Sequence, residues 1–193
     1  MGRFDLGKIH IYTGDGKGKT TASLGLAFRT IGQGNKVAIV QFLKSPYTGE
    51  YYHSERIPNL DFFVFGVKCE NDEQHKKELA AGTFKGFCKN CFKAYAPDRE
   101  EALRALSKAK ECAQNGEYNM VILDEANVAY KKELITLSEI DDLLANKHPQ
   151  TEMVLTGRGA DEELCKRADL VTEMKIIKHY MDKGVPARKG VEF

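Results

Sequence analysis

Residues 13–21 read Thr-Gly-Asp-Gly-Lys-Gly-Lys-Thr-Thr, between a short apolar run and an amphipathic segment. Gly14, Gly16 and Gly18 let the backbone turn so that its amides face inward, and a helix opening behind them adds its positive end. Such a cradle binds phosphate oxygens. Lys19 would supply the main counter-charge and the Thr20 hydroxyl a ligand for magnesium. The usual spacing has glycine where Thr13 stands, so the loop is a variant. The candidate nucleotide-binding residues are Gly14, Asp15, Gly16, Lys17, Gly18, Lys19, Thr20 and Thr21, with Arg29 on the following helix as a further phosphate contact.

A second group supports the first. Val121-Ile122-Leu123-Asp124-Glu125 is an apolar run ending in two carboxylates, the usual acidic partner of a phosphate loop. Asp124 or Glu125 would hold magnesium, directly or through water, and the sequence leaves open which. Loop and carboxylates together indicate Mg·ATP or a similar nucleotide but not the reaction. A third group is Cys88-Lys89-Asn90-Cys91, with Cys69 and His75 upstream. These four could hold zinc tetrahedrally; three of them being cysteines, an iron–sulfur cluster is also open, as are reduced thiols in a loop.

These residues need elements to position them. Apolar runs at 9–13, 37–43, 62–65, 120–123, 153–156 and 170–174 read as short buried strands. Helical patterns lie between them. Leu24, Ala27, Phe28 and Ile31 form one stripe, stopped by Gly32 and Gly34. Leu103, Leu106 and Ala109 form another, opened by Asp98 with Glu101. Ser138 with Asp141 opens a third, and 161–168 is a short fourth. The alternation predicts an α/β fold: a mainly parallel sheet with helices on both faces, of the P-loop, RecA-like type. Ligands then bind beyond the carboxyl ends of the strands, where every motif above falls. The reading is of one domain over 1–193, with an excursion from the sheet at about 67–97.

Composition narrows the class. The chain has 193 residues, with Lys+Arg 29 against Asp+Glu 28, a net charge of +1. That balance argues against a protein that coats nucleic acid. No apolar run is long enough for a membrane span, and the amino end has no signal-like region. Five cysteines without a secretion signal point to reduced thiols and a cytoplasmic location.

Further along stand Leu155-Thr156-Gly157-Arg158-Gly159, Glu162-Glu163-Leu164 and Ala168-Asp169-Leu170-Val171-Thr172-Glu173-Met174. The tail carries Lys178-His179, Gly184-Val185, Ala187-Arg188 and Lys189-Gly190-Val191-Glu192-Phe193. With Gly14 to Thr21, Gln41-Phe42-Leu43-Lys44 and Leu123-Asp124-Glu125-Ala126-Asn127, this order resembles the ATP:cob(I)alamin (corrinoid) adenosyltransferases of the phosphate-loop type. The resemblance spans the chain apart from the excursion. It implies that a Co(I) corrinoid attacks the 5′ carbon of ATP, giving adenosylcobalamin and inorganic triphosphate. It also implies a nucleotide reversed in the loop, removal of the corrinoid's lower axial ligand, a reductase to supply electrons, and a homodimer.

The resemblance assigns roles by position: Lys19, Arg158 and Glu125 as catalytic, Thr20 with Asp124 or Glu125 on magnesium, and Lys44 on phosphate or corrinoid. Two departures stand out. The family's better-known members carry Gly-Phe-Thr-Trp after the third strand, whereas this chain has no tryptophan and offers only Phe62, Phe63, Phe65, Phe84, Phe87 or Phe92. The amino-terminal extension of longer members is also expected to be missing. Two rival readings stay open. A nucleoside kinase of thymidine-kinase type would release ADP; in a RecA-like ATPase or switch, Glu125 would activate water.

Overall fold

A computed structural model describes residues 7–44, 48–66, 69–84 and 99–192. Six strands form one all-parallel sheet: β1 (Ile9–Thr13), β2 (Val37–Gln41), β3 (Leu60–Val64), β4 (Met120–Asp124), β5 (Glu152–Thr156) and β6 (Leu170–Glu173), in the order β3-β2-β4-β5-β1-β6. The strand carrying the glycine loop and the strand ending in Asp124 are thus separated by β5, as in RecA-like sheets. The central strands are buried on both faces because their side chains alternate. Ala38, Val40 and Phe42 pack with Val121, Leu123 and Leu155 on one face, while Val37, Ile39, Ile122 and Val154 point to the other.

Helices cover both faces. α1 (Lys19–Gly32) lies over the second face through Ala27. Its inward positions are the small Ser23 and Ala27, 1% and 2% exposed, which let the helix sit close to the sheet. The predicted stripe included Phe28, but that ring is 71% exposed, one helical step round from Ala27. Gly34, at φ 81, closes the helix through its bond to the Ile31 carbonyl. α2 (Gly49–Ser54) precedes β3, and α3 (Asp72–Ala80) lies in the segment read as an excursion. That segment therefore contains a regular helix, which its weak apolar periodicity did not signal.

α4 (Arg99–Gln114) covers the first face with Ala102, Ala105, Leu106, Ala109, Cys112 and Ala113, all buried. Leu103, expected inward, is only half-buried: the alanine ridge makes the contact. Asp98, its expected cap, lies outside the described residues. α5 (Ala126–Lys131) leaves the end of β4, and α6 (Leu137–Ala145) follows. The cap of α6 is Thr136 rather than Ser138: its Oγ1 accepts from the Glu139 amide while Glu139 accepts from the Thr136 amide at 2.7 Å. Asp141 instead holds Arg167 at 2.9 and 3.0 Å. α7 (Glu162–Cys165) is capped by Asp161, and a 3₁₀ turn spans Tyr180–Lys183. Among the described residues no helix is long and apolar enough to cross a membrane.

Candidate nucleotide site

The carboxyl ends of five strands converge on the glycine loop. Gly14 has φ 94 and Gly18 φ 118, left-handed conformations that favour glycine. Gly16 is required for space instead. A Cβ there would stand 2.6 Å from the Met174 carbonyl oxygen, to which the Gly16 amide donates at 2.7 Å. The end of β6 thereby pins the loop. Thr13, in place of the usual glycine, has its Oγ1 turned to the Ala160 amide at 3.3 Å and needs no special backbone. This explains the variant spacing.

Lys19 heads α1 and is 8% exposed. Its ammonium donates to the carbonyls of Gly14 and Gly16, both at 2.7 Å. Burial, then Arg158 nearby, draws its pKa below the usual lysine range. Lys17 behaves differently. Its ammonium is taken by the tail: the Val191 carbonyl at 2.9 Å, Glu192 at 2.6 Å and the Tyr180 hydroxyl at 3.2 Å. Glu192 also accepts from Tyr180 and Arg188, and these partners, Arg188 foremost, hold its carboxyl far below the usual range. Of the two loop lysines, only Lys19 is directed along the loop's own backbone.

Asp124 is the hub of the site. Its Oδ1 accepts from Thr20 at 2.8 Å and Thr156 at 2.6 Å; its Oδ2 accepts from Gln41 at 3.0 Å and the Lys44 ammonium at 2.6 Å. Sheet register produces this row, since Gln41 lies beside Asp124 and Leu123 beside Leu155, which puts Thr156 one step on. Burial alone would raise the Asp124 pKa, but Lys44 and the hydroxyls outweigh it and hold the carboxyl low. Burial likewise opposes the charge on Lys44, and Asp124 then Glu125 reverse this to raise its pKa above the usual lysine value.

Glu125 is the carboxylate still available. It sits at φ 63 as the cap residue before α5, faces the cavity, and has its pKa raised by burial and then by Asp124. Asp124 has its oxygens committed to four donors, whereas Glu125 and the Thr20 oxygen both border the cavity. The donor set therefore fits a hard divalent cation at Thr20 and Glu125, with Asp124 orienting the threonine.

The cavity, about 560 Å³, is bounded by the loop, Lys44, Glu125 and Arg158 on one side and by His179, Met181 and Glu192 of the tail on the other. Arg158 is exposed at the end of β5 and makes no ion pair among the described residues. Arg29 is not brought to the loop. It is exposed in the last turn of α1, ten residues beyond Lys19 and so about 15 Å along the helix axis, near Tyr12.

Cys69 and His75 are 3% and 4% exposed, with Sγ and Nε2 3.7 Å apart. Cys88, Cys91, Phe87 and Phe92 lie outside the described residues, and among the described residues no group of three or more metal-binding side chains occurs.

Sequence reasoning did not assign roles to Thr156, Gln41 or Asn127. The Asn127 amide ties the ends of β1 and β5, donating to the Tyr12 carbonyl at 3.3 Å and the Gly157 carbonyl at 3.1 Å. Each is a polar residue at or just beyond an apolar run. That signal marks a strand end but not its neighbours.

An all-parallel RecA-like sheet, a glycine loop at the end of β1 and an acid pair at the end of β4 define a phosphate-loop nucleotide-binding protein. Comparison with known proteins carries this to a family. The model for "ATP:corrinoid adenosyltransferase BtuR/CobO/CobP" matches residues 5–193. The corrinoid adenosyltransferase of Sinorhizobium sp. is 37% identical over 191 residues, covering 97% of this chain and 80% of that one. Those of Pseudomonas aeruginosa and Escherichia coli K12 are 30% and 29% identical, covering 99% and 97% of this chain and 86% of each relative. The chain belongs to the ATP:corrinoid adenosyltransferase family, and it is an enzyme of the transferase class.

Proposed function

We propose that this enzyme transfers the 5′-deoxyadenosyl group of ATP to the Co(I) centre of a corrinoid, releasing inorganic triphosphate. The observation that carries this is the pairing of a polyphosphate cradle with a cavity in which, among the described residues, no activated serine, cysteine or lysine nucleophile stands. Lys19 serves the loop, and Lys44 is locked to Asp124 as a cation. The nucleophile must then come with the second substrate. The Co(I) electron pair forms the Co–C5′ bond as the C5′–O bond to the α-phosphate breaks, and the electrons of that bond leave on triphosphate.

The protein's part is alignment and charge. Lys19, the amides of residues 14–21 and Arg158 receive the triphosphate; Lys17 contributes its amide while its side chain holds the tail. Magnesium held by Thr20 and Glu125 would add positive charge at the leaving group. Arg29 is left out of the set on its position. The reading brings a homodimer, a separate reductase and a cytoplasmic location with it. Exposed apolar side chains along the β6 edge and the tail, Leu170, Val171 and Ile177, support a contact face, and the thiols of Cys112 and Cys165, which form no disulfide among the described residues, support a reducing compartment.

The test is incubation with Mg·ATP and chemically reduced corrinoid. A light-sensitive alkylcorrinoid is expected. ADP with a phosphorylated nucleoside would support the kinase reading, and ADP with phosphate the ATPase reading.

Glu125→Gln separates function from stability. The folded pKa of Glu125 lies above its unfolded value, so its ionised form is disfavoured in the fold and stability falls as pH rises from about 4.3 towards the folded pKa. At neutral pH the glutamine variant is expected to melt about 2–4 °C higher if roughly 1 kcal/mol of repulsion is removed. It should also lose the part of its ATP affinity that depends on magnesium. A thermal melt at neutral pH checks the first arm, and calorimetric titration of ATP with and without magnesium the second.

The convergence of buried Cys69 and His75 also supports the second metal site read from sequence, with Cys88 and Cys91 as its other ligands. Anaerobically purified protein is expected to carry about one zinc or iron–sulfur site per chain, reduced in Cys69→Ala. Metal-free wild-type protein of full activity and stability would contradict it.

A further inference from the structure

A second compartment of about 390 Å³ adjoins the phosphate cavity, sharing Thr20, Thr21, Lys44, Val191 and Glu192 with it. Its far wall is Thr48, Gly49 and Glu50, at the start of α2. Thr48 occupies the cap position of that helix, yet its hydroxyl makes no cap bond. The side chain is 6% exposed, and its buried Oγ1 has no hydrogen-bond partner among the described residues. A buried hydroxyl left unpaired costs free energy, so a ligand group in this compartment would recover it.

Glu50 stands beside it. Its nearest donor is the Gln41 amide at 3.4 Å, a long bond, and Lys44, the cation on the same wall, is committed to Asp124. A carboxylate here repels phosphate and calls for neutral donors. A vicinal diol supplies two O–H donors at the spacing of one carboxylate, the pairing by which acidic residues hold ribose in other nucleotide sites. The sugar is also the part of a nucleotide next to its phosphates. Beyond Leu24 and Glu50 the compartment meets an apolar cavity of about 160 Å³, lined by Phe28, Ile31 and Phe62 among others, which suits a purine ring and offers it little polar contact.

We propose that Glu50 and Thr48 form the ribose-diol subsite of this enzyme, Glu50 accepting hydrogen bonds from the sugar hydroxyls. The proposal rests on the phosphate-loop reading, and its test separates the two. Calorimetric titration of the full chain with the magnesium complexes of ATP, 2′-deoxyATP, 3′-deoxyATP and inorganic triphosphate is required for wild type, Glu50→Ala and Thr48→Val. Wild type is expected to lose about tenfold or more in affinity when a paired hydroxyl is removed, as for a hydrogen bond to a charged group. Glu50→Ala should bind ATP no better than the deoxy analogues while its affinity for triphosphate is unchanged; Thr48→Val should fall between. Three results would overturn the assignment: equal binding of ATP and both deoxy forms by wild type, persistence of the preference in Glu50→Ala, or equal weakening of triphosphate. Wild type that binds neither triphosphate nor ATP would remove the phosphate-loop reading, and this one with it.

Discussion

Lys19→Ala is expected to lower the rate of corrinoid adenosylation at least about a hundredfold, the scale of losing a preorganised charge at a developing anion. Lys19 is the loop residue whose ammonium reaches the backbone that would cradle the phosphates, and it is 8% exposed with Arg158 close by. Two cations facing one cavity repel each other in the fold, and a triphosphate relieves that repulsion. Loss of Lys19 therefore removes attraction for the leaving group at little structural cost. Its two carbonyl partners border the cavity, so about 1 kcal/mol of stability is at stake, or about 2–4 °C in melting temperature. Initial rates of alkylcorrinoid formation beside a thermal melt give the comparison. Lys19→Arg should not rescue, because a forked guanidinium cannot follow a point charge into the turn of the loop. Wild-type turnover in the alanine variant would remove Lys19 from the mechanism.

Asp124→Asn is expected to be the most damaging single change to the fold at the site, costing about 3–5 kcal/mol, because it leaves the Lys44 charge without its carboxylate in a buried setting. The side chains of the pair are 1% and 15% exposed, so solvent offers little relief. The pH dependence follows from both members. Asp124 has a folded pKa below its unfolded value near 3.9, so its contribution is complete above about pH 4 and is lost as pH falls through the folded value. Lys44 has a folded pKa above its unfolded value near 10.4, so its contribution is complete below that pH and is lost as pH rises through the folded value. Between these limits the pair's contribution is complete, so Asp124→Asn should be less stable than wild type across that whole range in urea unfolding. Asp124→Asn with Lys44→Met should recover part of the loss, since removing both charges leaves none unpaired. A double variant less stable than the single would show that Lys44 is held by something other than Asp124.

The strands were legible because each is a short continuous apolar run, and all six fall within two residues of the expected bounds at either end. The glycine loop was legible for the same reason that it works: Gly14 and Gly18 need positive φ, and Gly16 sits against the Met174 backbone. What escaped depends on neighbours that a sequence does not name. Thr156 became a partner of Asp124 only through strand order and register. Lys17 turned to the tail because Glu192 and Tyr180 gather there, although spacing alone made it look like a second phosphate ligand. The choice between Asp124 and Glu125 needed a count of donors, and that count exists only once Gln41, Lys44 and Thr20 are in place. Phe28 faced outward because Ser23 and Ala27 brought α1 too close to the sheet for a large ring. Arg29 fell away because ten helical residues carry it a long way from the loop.

Phosphorus NMR of the products formed from ATP, magnesium and reduced corrinoid asks which bond of the nucleotide breaks. One inorganic triphosphate for each alkylcorrinoid is expected, with Lys19→Ala producing neither. ADP, or pyrophosphate with a separately released phosphate formed without any alkylcorrinoid, would contradict attack at the 5′ carbon and the roles given to the cradle and its tail.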